Sequence, residues 1–127
     1  MATIERIDTK RQSVLIARDL RMTSVINRDG PPPTIDGLTV GIAEMTRRPP
    51  HDGEMHPDGD ELVILLSGHV KLKIDSAPGE PLELGPGDAC IIPKGEWHRF
   101  DFSEPVRLIY ITPGPNGEHR PLNQTRK

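Results

Sequence analysis

The sequence predicts an all-β domain, one small barrel preceded by an N-terminal arm. Three observations carry this expectation. Apolar residues recur with a period of two rather than 3.6 over most of the chain. Gly, Pro, Asn and Asp interrupt that pattern at short intervals, the spacing of sandwiches and barrels. The length, 127 residues, suits a single core. The hydrophobic fraction is a lean 34%, but it is concentrated in Leu62–Leu66, Ile91-Ile92 and Leu108–Ile111, which argues against disorder despite the 14 prolines.

In chain order, residues 1–30 read as the arm, 31–115 as the barrel and 116–127 as an irregular tail. Within the arm, Ser13–Leu20 and Met22–Asn27 read as two short strands, with one helix over Thr9–Leu20 as the alternative. Asp29-Gly-Pro-Pro-Pro ends the arm, because prolines cannot donate to a sheet ladder. Leu38–Thr46 reads as a strand stopped by Arg-Arg-Pro-Pro, and a loop rich in His, Asp and Gly follows over His51–Asp60. Leu62–Leu66 is a strand that Ser67-Gly68 turns into another, His69–Ile74. Asp75-Ser-Ala-Pro-Gly is the expected hairpin turn, Pro81–Leu84 a short strand, and Gly85-Pro-Gly-Asp a tight turn. Ala89–Ile92 ends at Pro93-Lys-Gly. Trp97–Phe102 and Val106–Thr112 are expected to pair as the last hairpin.

Charge and composition exclude several classes. The net charge is −3, from 16 basic and 19 acidic residues spread along the chain, with no basic block that would attract nucleic acid. The longest apolar run is too short to span a bilayer, and the first residues lack the apolar stretch of a secretory signal. The single cysteine, Cys90, excludes an intramolecular disulfide. The expected location is therefore the cytoplasm, without nucleic-acid or membrane partners.

Glu54 and His56 are two residues apart, so on a strand they share a face. Glu61 opens the next strand and can join that face, and His98 lies on a further strand. Two imidazoles and two carboxylates suffice to hold a divalent first-row metal. A closed barrel can aim strands distant in sequence at one interior point. Phe100 and Phe102 alternate with His98, as core filling or as an apolar wall for a ligand; Met45, Val63 and Tyr110 are further lining candidates. Tyr110 could equally make a structural hydrogen bond. Trp97 points the other way, toward a partner subunit or the arm, and Cys90 reads as a small buried residue. His51, His69 and His119 read as surface or turn residues, with His51 as a substitute ligand. Arg47-Arg48 reads as a solvated loop edge.

Two stretches resemble the paired motifs of the cupin superfamily. The first family pattern is His-x-His, three or four residues, Glu, six residues, Gly; here it is Glu54-x-His56, four residues, Glu61, six residues, Gly68. The second is Gly, five residues, Pro-x-Gly, two residues, His, three residues, Asn; here it is Gly87, five residues, Pro93-x-Gly95, two residues, His98, three residues, Phe102. Several spacings match together, over roughly residues 38–112. The resemblance implies a double-stranded β-helix, the jelly-roll barrel of small single-domain cupins. It departs from the family at Glu54, where a ligating histidine is usual, and at Phe102, which replaces a residue that is not a ligand.

The resemblance implies one divalent transition metal (Zn, Fe, Mn or Ni) held by Glu54, His56, Glu61 and His98. It also implies an enzyme of dioxygenase, isomerase or lyase type on a small carbonyl, carboxylate or sugar-acid compound, with Glu54 or Glu61 moving a proton. The alternatives are a module that binds or senses a small ligand, and a barrel whose metal site is lost, with a polar, metal-free mouth. Two buried carboxylates without a cation would cost several kcal/mol or take up protons. A homodimer is expected, because sheet edges need cover and the arm can add a strand to a neighbour.

Overall fold

The computed structural model describes residues 2–46 and 53–120. Along the chain these form strands β1 (Gln12–Ala17), β2 (Met22–Ile26), β3 (Gly37–Met45), β4 (Glu54–Met55), β5 (Glu61–Ser67), β6 (Val70–Ile74), β7 (Ala77–Leu84), β8 (Ala89–Ile92), β9 (His98–Asp101), β10 (Val106–Gly114) and β11 (Glu118–His119). No helix occurs among the described residues, and none is long and apolar enough to cross a membrane. The strands make two antiparallel sheets, ordered β2-β1-β3-β10-β5-β8 and β11-β4-β9-β6-β7. This is the all-β jelly-roll arrangement, in which two sheets share one core.

Alternation sets the core. Val63, Leu65, Ile92, Val106 and Leu108 of the first sheet meet Val70, Leu72 and Leu84 of the second, all buried. Burying such a side chain stabilises the fold by about 1.5–3 kcal/mol. Tyr110 continues the inward row of β10. Its ring crosses Gly41 of β3, where a Cβ would come within 2.3 Å of the hydroxyl, and its Oη lies 3.2 Å from Ser13 Oγ on β1. The tyrosine thus has the structural hydrogen bond that its sequence position allowed.

The strand positions follow the sequence, but two connections differ from expectation. Trp97–Phe102 and Val106–Thr112 do not form a hairpin: β9 pairs with β4 and β6, whereas β10 pairs with β3 and β5. Likewise β5 passes at Gly68 into the other sheet rather than folding back on β6. The two corners pack on each other. Gly68 has φ +83°, and a Cβ there would lie 2.6 Å from the Pro105 carbonyl oxygen. Close contact at the corners thus favours crossing between sheets over turning back within one.

The β6–β7 hairpin needs only Asp75-Ser76, so β7 begins at Ala77, before the expected Pro81. β7 is an edge strand, where a proline lacking an N–H is tolerated. The arm forms strands, not a helix, and its β1 pairs with β3 of the same chain (Val14 opposite Val40). The tail expected to be irregular from residue 116 instead contributes β11, which pairs with β4. Arg47, Arg48 and His51 lie outside the described residues.

Candidate metal centre

Two backbone ties bring the first motif onto the second. The Gly95 N–H donates to the His56 carbonyl at 3.0 Å, and the Lys94 N–H donates to Asp60 Oδ1 at 2.8 Å. Gly95 adopts φ +79°, a conformation that glycine takes without strain. Glu54 on β4 sits opposite His98 on β9, and Glu61 opens β5 opposite Ile92.

These ties bring all four expected side chains together. One ligand atom from each of Glu54, His56, Glu61 and His98 lies within 4.8 Å of the others. His98 Nε2 is 3.4 Å from Glu54 Oε1 and 3.3 Å from Glu61 Oε1. His56 Nε2 is 3.6 Å from Glu61 Oε2 and 3.9 Å from Glu54 Oε1. Glu61 is 4% exposed and His98 0%. Both ring nitrogens of His56, Oε1 of Glu61 and Nε2 of His98 are buried without a hydrogen-bond partner among the described residues. Orphaned buried polar atoms are rare, and a cation coordinated among them would satisfy several at once. Two nitrogens with carboxylate oxygens suit a divalent first-row metal. The residues present therefore fit such a group.

Other residues orient these four side chains. The carbonyl of Glu96 lies 3.2 Å from His98 Nδ1 and accepts its N–H, so Nε2 is the nitrogen presented to the cluster. Thr112 donates its hydroxyl to Glu61 Oε2 at 2.5 Å. Phe100 packs edge-on to the His98 ring, with centroids 5.9 Å apart. His119, read from sequence as a surface or turn residue, is on β11 with Nε2 3.4 Å from Glu54 Oε2. The parity of β10 puts Thr112 on the same face as Leu108 and Tyr110, a signal already present in the sequence. His119 carries no such signal, because only the β4–β11 pairing brings it to Glu54.

Burial opposes charge on both Glu54 and His98. For Glu54 the imidazoles of His56 and His98 outweigh it and hold the carboxyl well below the usual carboxylate range. For His98 the carboxylates of Glu54 and Glu61 outweigh it and push the imidazole up to about 9. A proton and a bound cation would therefore compete for His98 Nε2. Burial, then the nearby Glu61, raises the Cys90 thiol, as suits an unreactive, partly buried sulfur.

The expected lining residues divide. Val63 is closed into the core, and Met45, Phe100, Phe102 and Tyr110 pack against it. Phe102 also lines a cavity of about 350 Å³ with His69, Leu84 and Asp101, and none of the four cluster residues borders it. Trp97, expected to meet a partner or the arm, lies under the guanidinium of Arg120, 4.5 Å from the ring centroid.

Among solved structures, the chain resembles a cupin superfamily protein from Desulfitobacterium hafniense (18% identity, 66% of this chain and 73% of that one, TM-score 0.54). It also resembles a DMSP lyase from Ruegeria pomeroyi (23% identity, 72% and 47%, TM-score 0.54). A third is an oxalate decarboxylase from Bacillus subtilis (16% identity, 65% and 23%, TM-score 0.53). The chain thus spans less than half of either enzyme, and these likenesses concern the fold. No curated protein matches it significantly. A family model for the cupin domain matches residues 44–112, more than half of the chain and all four cluster residues. On that match, the chain belongs to the cupin domain family.

Proposed function

We propose that this cupin binds one divalent transition metal through Glu54, His56, Glu61 and His98, and that it is a metal-dependent enzyme acting on a small carbonyl, carboxylate or sugar-acid compound. The observation that carries this reading is the convergence of one potential ligand atom from each of four side chains, with several buried nitrogen and oxygen atoms of the cluster lacking a hydrogen-bond partner among the described residues. A divalent cation held there would supply Lewis acidity toward a substrate oxygen. The rest falls to the chain. Glu61, fixed by Thr112, has little freedom to move. Glu54 has the more accessible side chain, 22% exposed against 5%, and is the carboxylate that a bound substrate would meet first. Phe100 shields His98 from water. The similar structures include a DMSP lyase and an oxalate decarboxylase, so the fold is compatible with an enzyme. The lone Cys90 suits the reducing cytoplasm. We also propose a second copy of the chain as partner.

The test is elemental analysis of protein purified without chelator from metal-supplemented medium. One equivalent of metal per chain is expected. The double variant His56→Ala/His98→Ala should lose it and keep its β-sheet circular dichroism. Wild-type protein without stoichiometric metal would overturn the reading. Metal-loaded protein would then be screened for turnover of small carbonyl and carboxylate compounds, and loss of turnover on metal removal is expected.

A further inference from the structure

We propose that His119 is a positioning residue of the metal centre: it holds Oε2 of Glu54 so that Oε1 stays turned toward His56 and His98. The inference rests on the metal reading above. The two oxygens of Glu54 face different imidazoles. Oε1 lies 3.4 Å from His98 Nε2 and 3.9 Å from His56 Nε2, while Oε2 lies 3.4 Å from His119 Nε2. A glutamate side chain has one more rotatable bond than a histidine. A carboxylate standing where the motif usually has a ligating imidazole needs a partner to fix its rotation.

The strand that brings His119 there is anchored on both sides. The Asn116 N–H and side-chain amide donate to the Asp58 carboxylate at 2.7 and 3.0 Å. The Arg120 N–H donates to the Gly53 carbonyl at 3.0 Å, and its guanidinium donates to Asp75 Oδ2 at 2.6 Å while covering Trp97. Between these anchors Gly117 lies against the His56 ring, where a Cβ would come within 3.1 Å of Nδ1. His119 is directly opposite Glu54 in the β4–β11 register, and its side chain is 40% exposed, so core filling does not account for it. Gly117 and His119 thus lie against His56 and Glu54, two of the three proposed ligands of the first motif.

Loss of an outer partner of a metal ligand typically weakens affinity by about 10–100-fold. Cobalt(II) affinity would be measured by chelator competition on the full chain and on His119→Ala, His119→Gln and Glu118→Ala, with the thermal midpoint of each metal-free protein recorded. His119→Ala should weaken cobalt by about 10–100-fold, and His119→Gln, whose amide can still donate to Oε2, should recover much of it. Glu118→Ala perturbs the same short strand without removing the imidazole and should bind as wild type does. Equal cobalt affinity for wild type and His119→Ala overturns the inference alone. So does an equal loss in His119→Ala and Glu118→Ala, which would assign the effect to the strand. Wild-type protein that takes up no cobalt overturns the metal reading and the inference with it.

Discussion

Glu61 is 4% exposed, and its Oε2 accepts a hydrogen bond from Thr112. Valine at position 112 would keep the shape and remove the donor, leaving a buried carboxylate oxygen with less compensation. Thr112→Val should cost the metal-free protein about 1–3 kcal/mol in urea denaturation. It should also weaken metal binding by about 10-fold or more, read by chelator competition. Unchanged affinity would mean that other contacts set the orientation of Glu61. At this scale the four clustered side chains were legible because motif spacing records them directly. Position 112 was legible only as a parity, since a threonine at the end of an apolar strand does not announce its acceptor. His119 was not legible at all: its relation to Glu54 exists only once β11 pairs with β4.

Strands were easier to read than their partners. Periodicity and turn residues locate β3, β5, β6, β8, β9 and β10 to within a residue or two, because alternation is a local property. Whether a short link turns back or crosses to the other sheet depends on contacts remote in sequence. The links after β5 and β9 look like turns and act as crossing corners. Proline hid the start of β7, since the same residue that forbids a central strand is tolerated at an edge. Gly68 tests the corner. Its φ of +83° disfavours a side chain, and a Cβ would press on the Pro105 carbonyl oxygen at 2.6 Å. Backbone atoms cannot move aside as a flexible side chain can. Gly68→Ala should therefore destabilise the protein by about 1–3 kcal/mol, seen as a lower denaturation midpoint. A midpoint equal to that of wild type would show that the corner relaxes freely.

The first sheet is apolar on both faces. Its inner face holds the core, and one outward row runs Val14, Val40, Ile111, Leu62 and Ile91 across five neighbouring strands. A second row joins Ile42, Ile109 and Ile64. The signal was in the sequence, because Leu62–Leu66 and Leu108–Ile111 are apolar in both parities, the pattern of strands covered on both sides. The sequence suggested cover through a strand lent by the arm. The arm instead extends the sheet of its own chain, so the outward face is the better candidate for the proposed contact with a second copy. Large exposed apolar faces mark association surfaces, and a second identical sheet packed on this one would bury both. Light scattering at micromolar concentration should give twice the 14.1 kDa of the chain. Leu66 and Ile91 lie on that face at 36% and 68% exposure, so glutamate at both positions should spare the monomer fold. Leu66→Glu/Ile91→Glu should then shift the mass toward one chain with little change in circular dichroism. A wild-type chain that stays monomeric in this range would remove the second copy as partner and leave the metal proposal unaffected, because Glu54, His56, Glu61 and His98 all come from one chain.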